Sequence, residues 1–366
     1  MRVKELSFEG FRNLHPGRWN PDGGVNILYG DNAQGKTNLM EAIYLMACGK
    51  SFRVKSYREM ITHEEKQSCV TVSVSGEGLP FQLKMVLDAH DGKAIYKNGV
   101  RLEKLSEFLG LFRVVLFCPE HLSLIKDGPG KRRSFIDGAI CQLRPYYASL
   151  LNEFNRLENQ RAALLKQRSK KVFDSSLFDV WNERLAAVSV KIACIRADYI
   201  ENLVRYAPVH FEKISGGADK MELKYVSDVY KKGLSREEME RQYLRLLQNS
   251  LEGDIRYGYT AKGIHRDDLE ILINSFTAKG IASQGQQRSA VLALKLAEAS
   301  LLQEVTGEKP VAFLDDVMSE LDTSRQDYIL NHIDGWQVFI TCCEPSATLR
   351  ATAGKVFSVK QGVLSE

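Results

Sequence analysis

Residues 30–37 are Gly30-Asp31-Asn32-Ala33-Gln34-Gly35-Lys36-Thr37, with the spacing G-x-x-x-x-G-K-T. A loop with glycine at both ends can curl its backbone around an anion, so that the N–H groups point inward. Lys36 in such a loop reaches the β and γ phosphates of a nucleotide, and the Thr37 hydroxyl sits on Mg2+. Asn38 continues the run. The flanks give the context this chemistry needs. Val25-Asn26-Ile27-Leu28-Tyr29 reads as a buried strand, and Asn38 to Ala47 reads as a helix. Strand, loop and helix in that order set a helix N-terminus against the phosphates.

A second set of acids stands near the other end of the chain. Val311-Ala312-Phe313-Leu314 is a short apolar run ending in Asp315-Asp316. A buried parallel strand delivers such a carboxylate to its C-terminal end, where phosphate-loop proteins hold Mg2+. Asp315 would take the metal through water, and Asp316 could polarise an attacking water as general base. A helix N-cap pair is the plainer alternative. Upstream, Ser283-Gln284-Gly285-Gln286-Gln287-Arg288 opens a helix over Ser289 to Gln303, and Ser319-Glu320-Leu321-Asp322 follows the acids.

Three basic stretches could grip phosphate. Phe11-Arg12-Asn13 lies in a connection beside the loop, as a solvated turn or near the nucleotide. Arg53, Lys55 and Arg58 alternate with Phe52 and Tyr57, as in a surface that holds a nucleic-acid backbone or in a solvated loop. Lys131-Arg132-Arg133 follows Pro129-Gly130 in an expected loop, as a helix-start surface or an anion contact. His265-Arg266-Asp267-Asp268 has no metal-ligand spacing and reads as an ion-paired strand end.

The elements that must position these groups fit a chain of 366 residues, 44% hydrophobic and 26% charged, with a formal net charge of +4. Such a chain holds two domains or one with an insertion, and its mild basicity permits nucleic-acid binding. Seven cysteines (Cys48, Cys69, Cys118, Cys141, Cys194, Cys342 and Cys343) show no C-x-x-C spacing, which fits a reducing cytosol. Neither a signal-peptide core nor a membrane-spanning apolar run is seen. Val3–Phe8, Val70–Val74, Phe81–Leu87 and Val114–Phe117 read as strands, and Asn98-Gly99 as a hairpin turn. From Tyr146 to Lys171 and from Leu177 to Leu203 the apolar spacing is helical, with a polar turn over Ser169 to Ser176. This predicts an antiparallel helical hairpin, with Pro208 ending its second arm. Ser235 and Glu238 form a capping box ahead of another helix.

Taken together, the phosphate loop, the Ser-x-Gly-Gln element, the acid strand and the S-x-L-D turn resemble the ABC-type ATPase heads, in their SMC/Rad50 branch. GDNAQGKTN at Gly30–Asn38, HRDDL at His265–Leu269, ASQGQQRS at Ala282–Ser289 and FLDDVMSELD at Phe313–Asp322, with Arg132-Arg133 between, resemble the RecF family of bacterial recombination proteins over the whole length. The resemblance implies an α/β fold: an ABC-type (SMC/Rad50-like) P-loop ATPase head with an inserted all-helical arm. The head would span 1–118 and 253–366 and the arm 119–252, with 209–226 open between the two.

It further implies ATP and Mg2+ as cofactors, with Arg12 and Asn13 near the nucleotide. Ser283, Gln284, Gly285 and Gln286 would be a signature capping ATP in a second copy, and Ser319 and Asp322 a D-loop. The implied activity is a slow, DNA-dependent ATPase switch. It forms an ATP-driven homodimer on double-stranded and gapped DNA in the cytoplasm, at the nucleoid, and acts with RecO and RecR to load RecA.

Some positions depart from the ABC pattern. Asp316 stands where glutamate is usual, and Thr341-Cys342-Cys343 where a switch histidine is. Cys118-Pro119-Glu120 replaces the Q-loop glutamine, and Lys262-Gly263-Ile264 precedes His265 in place of Gly-Pro. A transporter ATPase subunit fits the long insert and the wide gap from Ser283 to Asp315 poorly. An SMC-type structural protein needs a rod longer than this hairpin, and a small-molecule kinase has no use for Ser283 to Gln286.

Overall fold

Apolar residues on alternate positions and in short unbroken runs decide how the strands of this chain are used. The computed structural model of the protein describes residues 1–168, 176–344 and 353–366. The first elements are β1 (Arg2–Glu9), β2 (Gly17–Trp19), β3 (Val25–Tyr29), α1 (Lys36–Cys48), β4 (Gln67–Ser75), β5 (Phe81–Asp88), β6 (Gly92–Lys97), β7 (Val100–Leu102), α2 (Leu105–Phe108) and β8 (Val114–Phe117). Then come α3 (Ser123–Lys126), α4 (Pro129–Leu143), α5 (Tyr147–Arg168), α6 (Ser176–Ile214), β9 (Met221–Val226), α7 (Arg236–Asn249), α8 (Leu251–Tyr257), β10 (Asp268–Ile273), β11 (Phe276–Thr277) and α9 (Ala278–Ile281). The last are α10 (Gln284–Thr306), β12 (Val311–Leu314), α11 (Thr323–His332), β13 (Val338–Cys342), β14 (Lys355–Lys360) and β15 (Val363–Ser365). They form two compact units. The first holds 1–122, 206–219 and 283–366, and the second holds 123–205 and 220–282.

In the first unit one sheet has the order β15-β14-β3-β13-β12-β8. All of it is parallel except the β14–β15 hairpin. Every residue of β8 and β12 is buried, as expected of strands covered on both faces. The other sheet, β2-β1-β4-β5-β6-β7, is antiparallel. Its alternating Val70, Val72 and Val74, and Leu83, Met85 and Leu87, are buried on one face. Asn98 and Gly99 turn the β6–β7 hairpin with φ of 50° and 81°, the two-residue turn expected. The turn expected between the first two strands contains β2, three residues whose Trp19 packs edge-on to Phe339 and Phe357. Helix α1 packs on β4 and β5 and on β13, which explains its apolar residues on most sides.

The second unit is not all helical. Met221 and Leu223 are buried while Glu222 and Lys224 are exposed, and this alternation needs a partner strand. It finds one in β10, antiparallel from Met221 against Ile273 to Val226 against Asp268. So 221–226 does not join either sheet of the first unit, and the second unit runs to Ala282 rather than ending at 252. Helices α5 and α6 run antiparallel, with Arg184 paired to Glu153 at 3.5 Å and Arg161 donating to Asn182 at 3.0 Å. Of the turn expected over Ser169 to Ser176, 169–175 lie outside the described residues, and Ser176 already begins α6.

Pro208 does not end α6, which continues to Ile214. Proline inside a helix costs about 3 kcal/mol through a lost N–H bond and a clash with the preceding turn. Ala207 and Phe211 beside it are fully buried, and their packing outweighs that cost. The capping box of Ser235 and Glu238 starts α7 as expected. Among the described residues no helix is long and apolar enough to cross a membrane.

Buried ion pairs hold the second unit. Arg161 and Asp254 pair at 2.7 Å with both side chains fully buried. Arg196 reaches Asp137 at 2.9 Å and Asp267 at 2.8 Å, so the HRDD stretch is ion-paired as expected. Removing one partner of such a pair leaves an uncompensated charge and costs about 3–5 kcal/mol, whereas replacing both is tolerated. Asp254→Ala should therefore lower the urea midpoint sharply, and the double variant Arg161→Met with Asp254→Leu should recover most of it. Urea denaturation followed by circular dichroism checks this, and a single variant as stable as the parent contradicts it.

Candidate functional site

The parallel register brings the two chemical segments to one sheet edge. Thr341 of β13 lies level with Leu28 of β3, and Leu314 of β12 with Ile340 of β13. The loop at 30–37 therefore leaves the sheet beside Asp315 and Asp316. Gly30 and Gly35 take φ of 148° and 114° and Ala33 takes 64°, so the loop makes its turn largely through glycine. Gly35 caps α1 with no side-chain hydrogen bond, so the N–H groups of the first turn face no competing cap. The Lys36 ammonium is only 4% exposed as a residue and donates to the carbonyls of Gly30 at 2.6 Å and Asp31 at 3.0 Å.

Asp315 Oδ1 accepts from Thr37 Oγ1 at 3.0 Å and from Thr341 Oγ1 at 2.8 Å. Burial is the main force pushing its carboxyl up to about 6. The Thr341 hydroxyl pulls the other way, Asp316 pushes up, the Thr37 hydroxyl pulls down and Glu120 adds a smaller push. A buried carboxylate beside a hydroxyl is an all-oxygen set that suits a hard cation such as Mg2+. Asp316 sits at φ 53°, a left-handed conformation that aspartate tolerates better than most side chains. Its N–H donates to Thr341 Oγ1 at 2.8 Å, and Ser319 Oγ donates to its carbonyl at 3.1 Å.

An open cavity of about 830 Å³ lies over the loop. It is lined by Asn32 to Asn38, Arg12, Asn13 and Asp316, together with Arg53, Arg58, the wall Ile61–Glu65 and Ala89. This is ample for a nucleoside triphosphate. Arg12 makes a two-pronged bond to Glu41, 2.9 Å on each prong, and Glu41 is fully buried on α1. Asn13 donates to Ala33 O at 3.3 Å and accepts from Asn38 at 2.7 Å. Arg53 donates to Asn38 Oδ1 at 2.7 Å.

So Arg53 and Arg58 border the phosphate-loop cavity, whereas Lys55 is exposed and does not line it. In the 131–133 cluster only Lys131 is exposed. Arg132 is buried against Asp268 at 2.7 and 2.8 Å, and Arg133 donates to the Asp267 carbonyl at 2.7 Å. The expected loop there is the first turn of α4, and its geometry turns Arg132 inward, onto Asp268.

Ser283 caps α10, and Gln286 completes a reciprocal capping box with it. Gln286 Nε2 donates to Asp219 at 3.0 Å. None of Ser283, Gln284, Gly285 or Gln286 lines the cavity. Arg288 donates to the Glu320 carbonyl at 2.9 Å, while Arg325 donates to Ser289 at 3.1 Å and pairs with Asp322. Asp322 also caps α11. These two arginines tie the start of α10 to the Ser319–Asp322 segment, a link that spacing alone did not reveal. Glu41 was equally missed, although an acid on an otherwise apolar helix is a signal for it. The wall at Ile61–Glu65 carries no motif. Cys343 Sγ donates to Asn32 Oδ1 at 3.4 Å, so the residue just after β13 borders the loop.

Because burial raises Asp315 from 3.8 to about 6, the fold disfavours its ionised form. That penalty is present above pH 6 and fades as the pH falls toward 4, where the folded carboxyl is protonated. Asp315→Asn should stabilise the nucleotide-free protein by about 2–3 kcal/mol at pH 8, with the gain shrinking toward pH 4. Melting curves of both proteins at pH 8, 6 and 4.5 check this, and a variant that melts below its parent at pH 8 contradicts the assigned cause.

Comparison with known proteins accords with this geometry. A family model described as the RecF/RecN/SMC N terminal domain matches residues 2–365. The DNA replication and repair protein RecF of Clostridium acetobutylicum is 36% identical over 342 residues, 93% of each chain. The protein of the same description from Lachnoclostridium phytofermentans is 37% identical over 371 residues, the whole of both chains. A solved structure of the recombination mediator protein RecF with ATP, in the RecFOR pathway, superposes with a TM-score of 0.93 at 35% identity, over 100% of this chain and 97% of that one. An Smc head bound to the C-winged helix domain of ScpA, at 15% identity and a TM-score of 0.56, shares the fold alone. The chain belongs to the RecF family, and its first unit is an SMC-type ABC ATPase head.

Proposed function

We propose that this chain is an ATP-driven DNA-binding switch of recombinational repair and replication restart, active as a two-fold pair of copies. ATP would lie in the 830 Å³ cavity with its phosphates on the N–H groups of 30–38 and its base toward Ile61–Glu65. The Lys36 ammonium, held by two loop carbonyls, would turn to the β and γ phosphates. Thr37 and Asp315 would hold Mg2+, which supplies charge neutralisation on the phosphate oxygens when bound. Asp316 would orient and deprotonate the attacking water, with Thr341 and Ser319 fixing its backbone. Arg53 and Arg58 are assigned here to the phosphates, and Arg12 to holding Asn13 beside the loop through Glu41.

One observation carries the two-copy reading. The Ser283–Gln286 cap is fully built, yet it lies outside the cavity of its own chain. A helix N-terminus with bonded capping side chains, set outside the phosphate-loop cavity of its own chain, fits a γ-phosphate supplied by a second copy. The solved RecF relative is a recombination mediator of the RecFOR pathway, which supports RecO and RecR as partners here; double-stranded and gapped DNA as the target and RecA loading as the outcome complete the proposal. With Arg132 and Arg133 turned inward, Lys55 and Lys131 remain as candidate DNA contacts. A cytoplasmic place at the nucleoid follows from the same reading.

Sedimentation velocity with ATP, with and without a duplex carrying a single-strand junction, tests this. The parent should self-associate only with ATP. Lys36→Ala should lose ATP binding and association together. Ser283→Arg should bind ATP as the parent does but remain a monomer. Asp316→Asn should slow hydrolysis by 100-fold or so and prolong the associated state. If Ser283→Arg associates like the parent, the two-copy site is wrong. Removing Lys55 should weaken DNA binding and flatten its salt slope by about one, and an unchanged slope places the DNA surface elsewhere.

A further inference from the structure

The chain's last two strands reverse at Gln361-Gly362, both at positive φ, 49° and 78°. Two residues with positive φ make the tight turn that suits a hairpin's twist. This turn lies on the phosphate loop. The Gln361 N–H donates to Gln34 Oε1 at 2.6 Å. The Gly362 N–H donates to the Gln34 carbonyl at 2.8 Å, and the Gly362 carbonyl accepts from the His15 N–H at 3.1 Å. A Cβ on Gly362 would overlap the Asn13 carbonyl, so glycine is required there for the approach as well as for its φ. One strand earlier, the Val359 carbonyl comes so near Gly30 that a Cβ on Gly30 would overlap it. Strand β14 thus meets the loop at its first residue, and the turn meets it at Gln34.

Peptide geometry gives this contact a consequence for the site. In a planar trans peptide the C=O and the following N–H point in opposite directions. Holding the Gln34 carbonyl on the hairpin therefore aims the Gly35 N–H the other way, and Gly35 lines the cavity. A glycine-rich loop without such support must be ordered by the ligand itself, and that ordering weakens binding.

We propose that the turn Gln361-Gly362 is a third part of the nucleotide site, a brace that presets the loop, and that Gln34 is a positioning residue rather than a phosphate ligand. The proposal rests on the ATP reading above. Its side-chain component needs only an acceptor at Gln34, so glutamate should replace glutamine there while alanine should not.

The test measures ATP affinity by calorimetry and nucleotide-free melting on the full chain, with Lys36→Ala as the binding-dead reference. Gln34→Ala should weaken ATP about fivefold, as expected for one lost hydrogen bond, with its nucleotide-free melting temperature lowered by no more than about 2 °C. Gln34→Glu keeps an acceptor for the same N–H, so at high salt, where repulsion of the triphosphate is screened, it should bind better than Gln34→Ala. Gly362→Ala should weaken ATP by roughly tenfold or more, because the whole turn must withdraw. Val363→Thr, on the exposed side of the same hairpin, should match the parent.

If Gln34→Ala binds as the parent does, or if Gln34→Glu binds worse than Gln34→Ala even at high salt, the brace is overturned, the latter because Gln34 then meets the phosphates directly. Gly362→Ala could fail to fold, and the Gln34 pair decides the matter without it. A parent that does not bind ATP overturns the nucleotide reading itself and the brace with it. A parent that binds, with Lys36→Ala dead and Gln34→Ala unaffected, overturns the brace alone.

Discussion

Asp315 Oδ1 accepts from Thr37, in the first turn of α1, and from Thr341, near the end of β13, so one buried carboxylate joins three neighbouring strand-end segments. Both bonds require register. Leu314 lies level with Ile340, which sets Asp315 beside Thr341, and Thr341 lies level with Leu28, two residues before the loop begins. A one-residue slip of β12 would turn Asp315 to the other face of the sheet and remove the acid from the site. The same burial that fixes its position also raises its pKa. An ionised carboxylate without a cation is therefore costly here.

The parallel order β14-β3-β13-β12 extends this constraint sideways. Every connection at the C-terminal edge emerges on the same side, so a loop after β3, acids after β12 and a hairpin after β14 become neighbours although they are far apart in sequence. Arg12 and Glu41 add a lateral tie between the loop after β1 and the buried face of α1. The phosphate loop is thus held on several sides by groups that touch no phosphate, and it can stay rigid while the cavity above it stays open.

The motif at 30–37 was legible because its chemistry is local: glycine, lysine and threonine are needed at fixed offsets, and an apolar strand and a helix must flank them. β8 and β12 were legible because strands buried on both faces leave unbroken apolar runs. What was not legible depended on distant partners. The alternation at Met221–Val226 shows a strand but not its neighbour, which lies more than forty residues on at β10. Three consecutive basic residues at 131–133 do not say which one a helix will turn inward. The answer is Arg132, because Asp268 waits for it. Pro208 reads as a stop by propensity, and buried Ala207 and Phe211 override it. Arg53 and Arg58 read as a basic stretch, and only the fold shows that they border the phosphate-loop cavity.

Charge explains why the two halves of the proposed site need a third component to meet. The loop side carries Arg12, Lys36, Arg53 and Arg58 around one cavity, with Glu59, Glu64, Glu65 and Asp316 on the same lining. On the signature side, the nearby arginines are already matched, Arg288 by Glu320 and Arg325 by Asp322. What remains there is the positive end of a helix. The donors on the two sides, Lys36 with the loop N–H groups and the end of α10, gain nothing from each other directly. A triphosphate reverses this, since its negative charge is shared between the cationic loop and the helix end. In the proposed two-fold assembly each copy offers both surfaces, so two nucleotides close two sites at once. In that proposed assembly, loss of the γ-phosphate would remove the group that both sets of donors share, which favours separation.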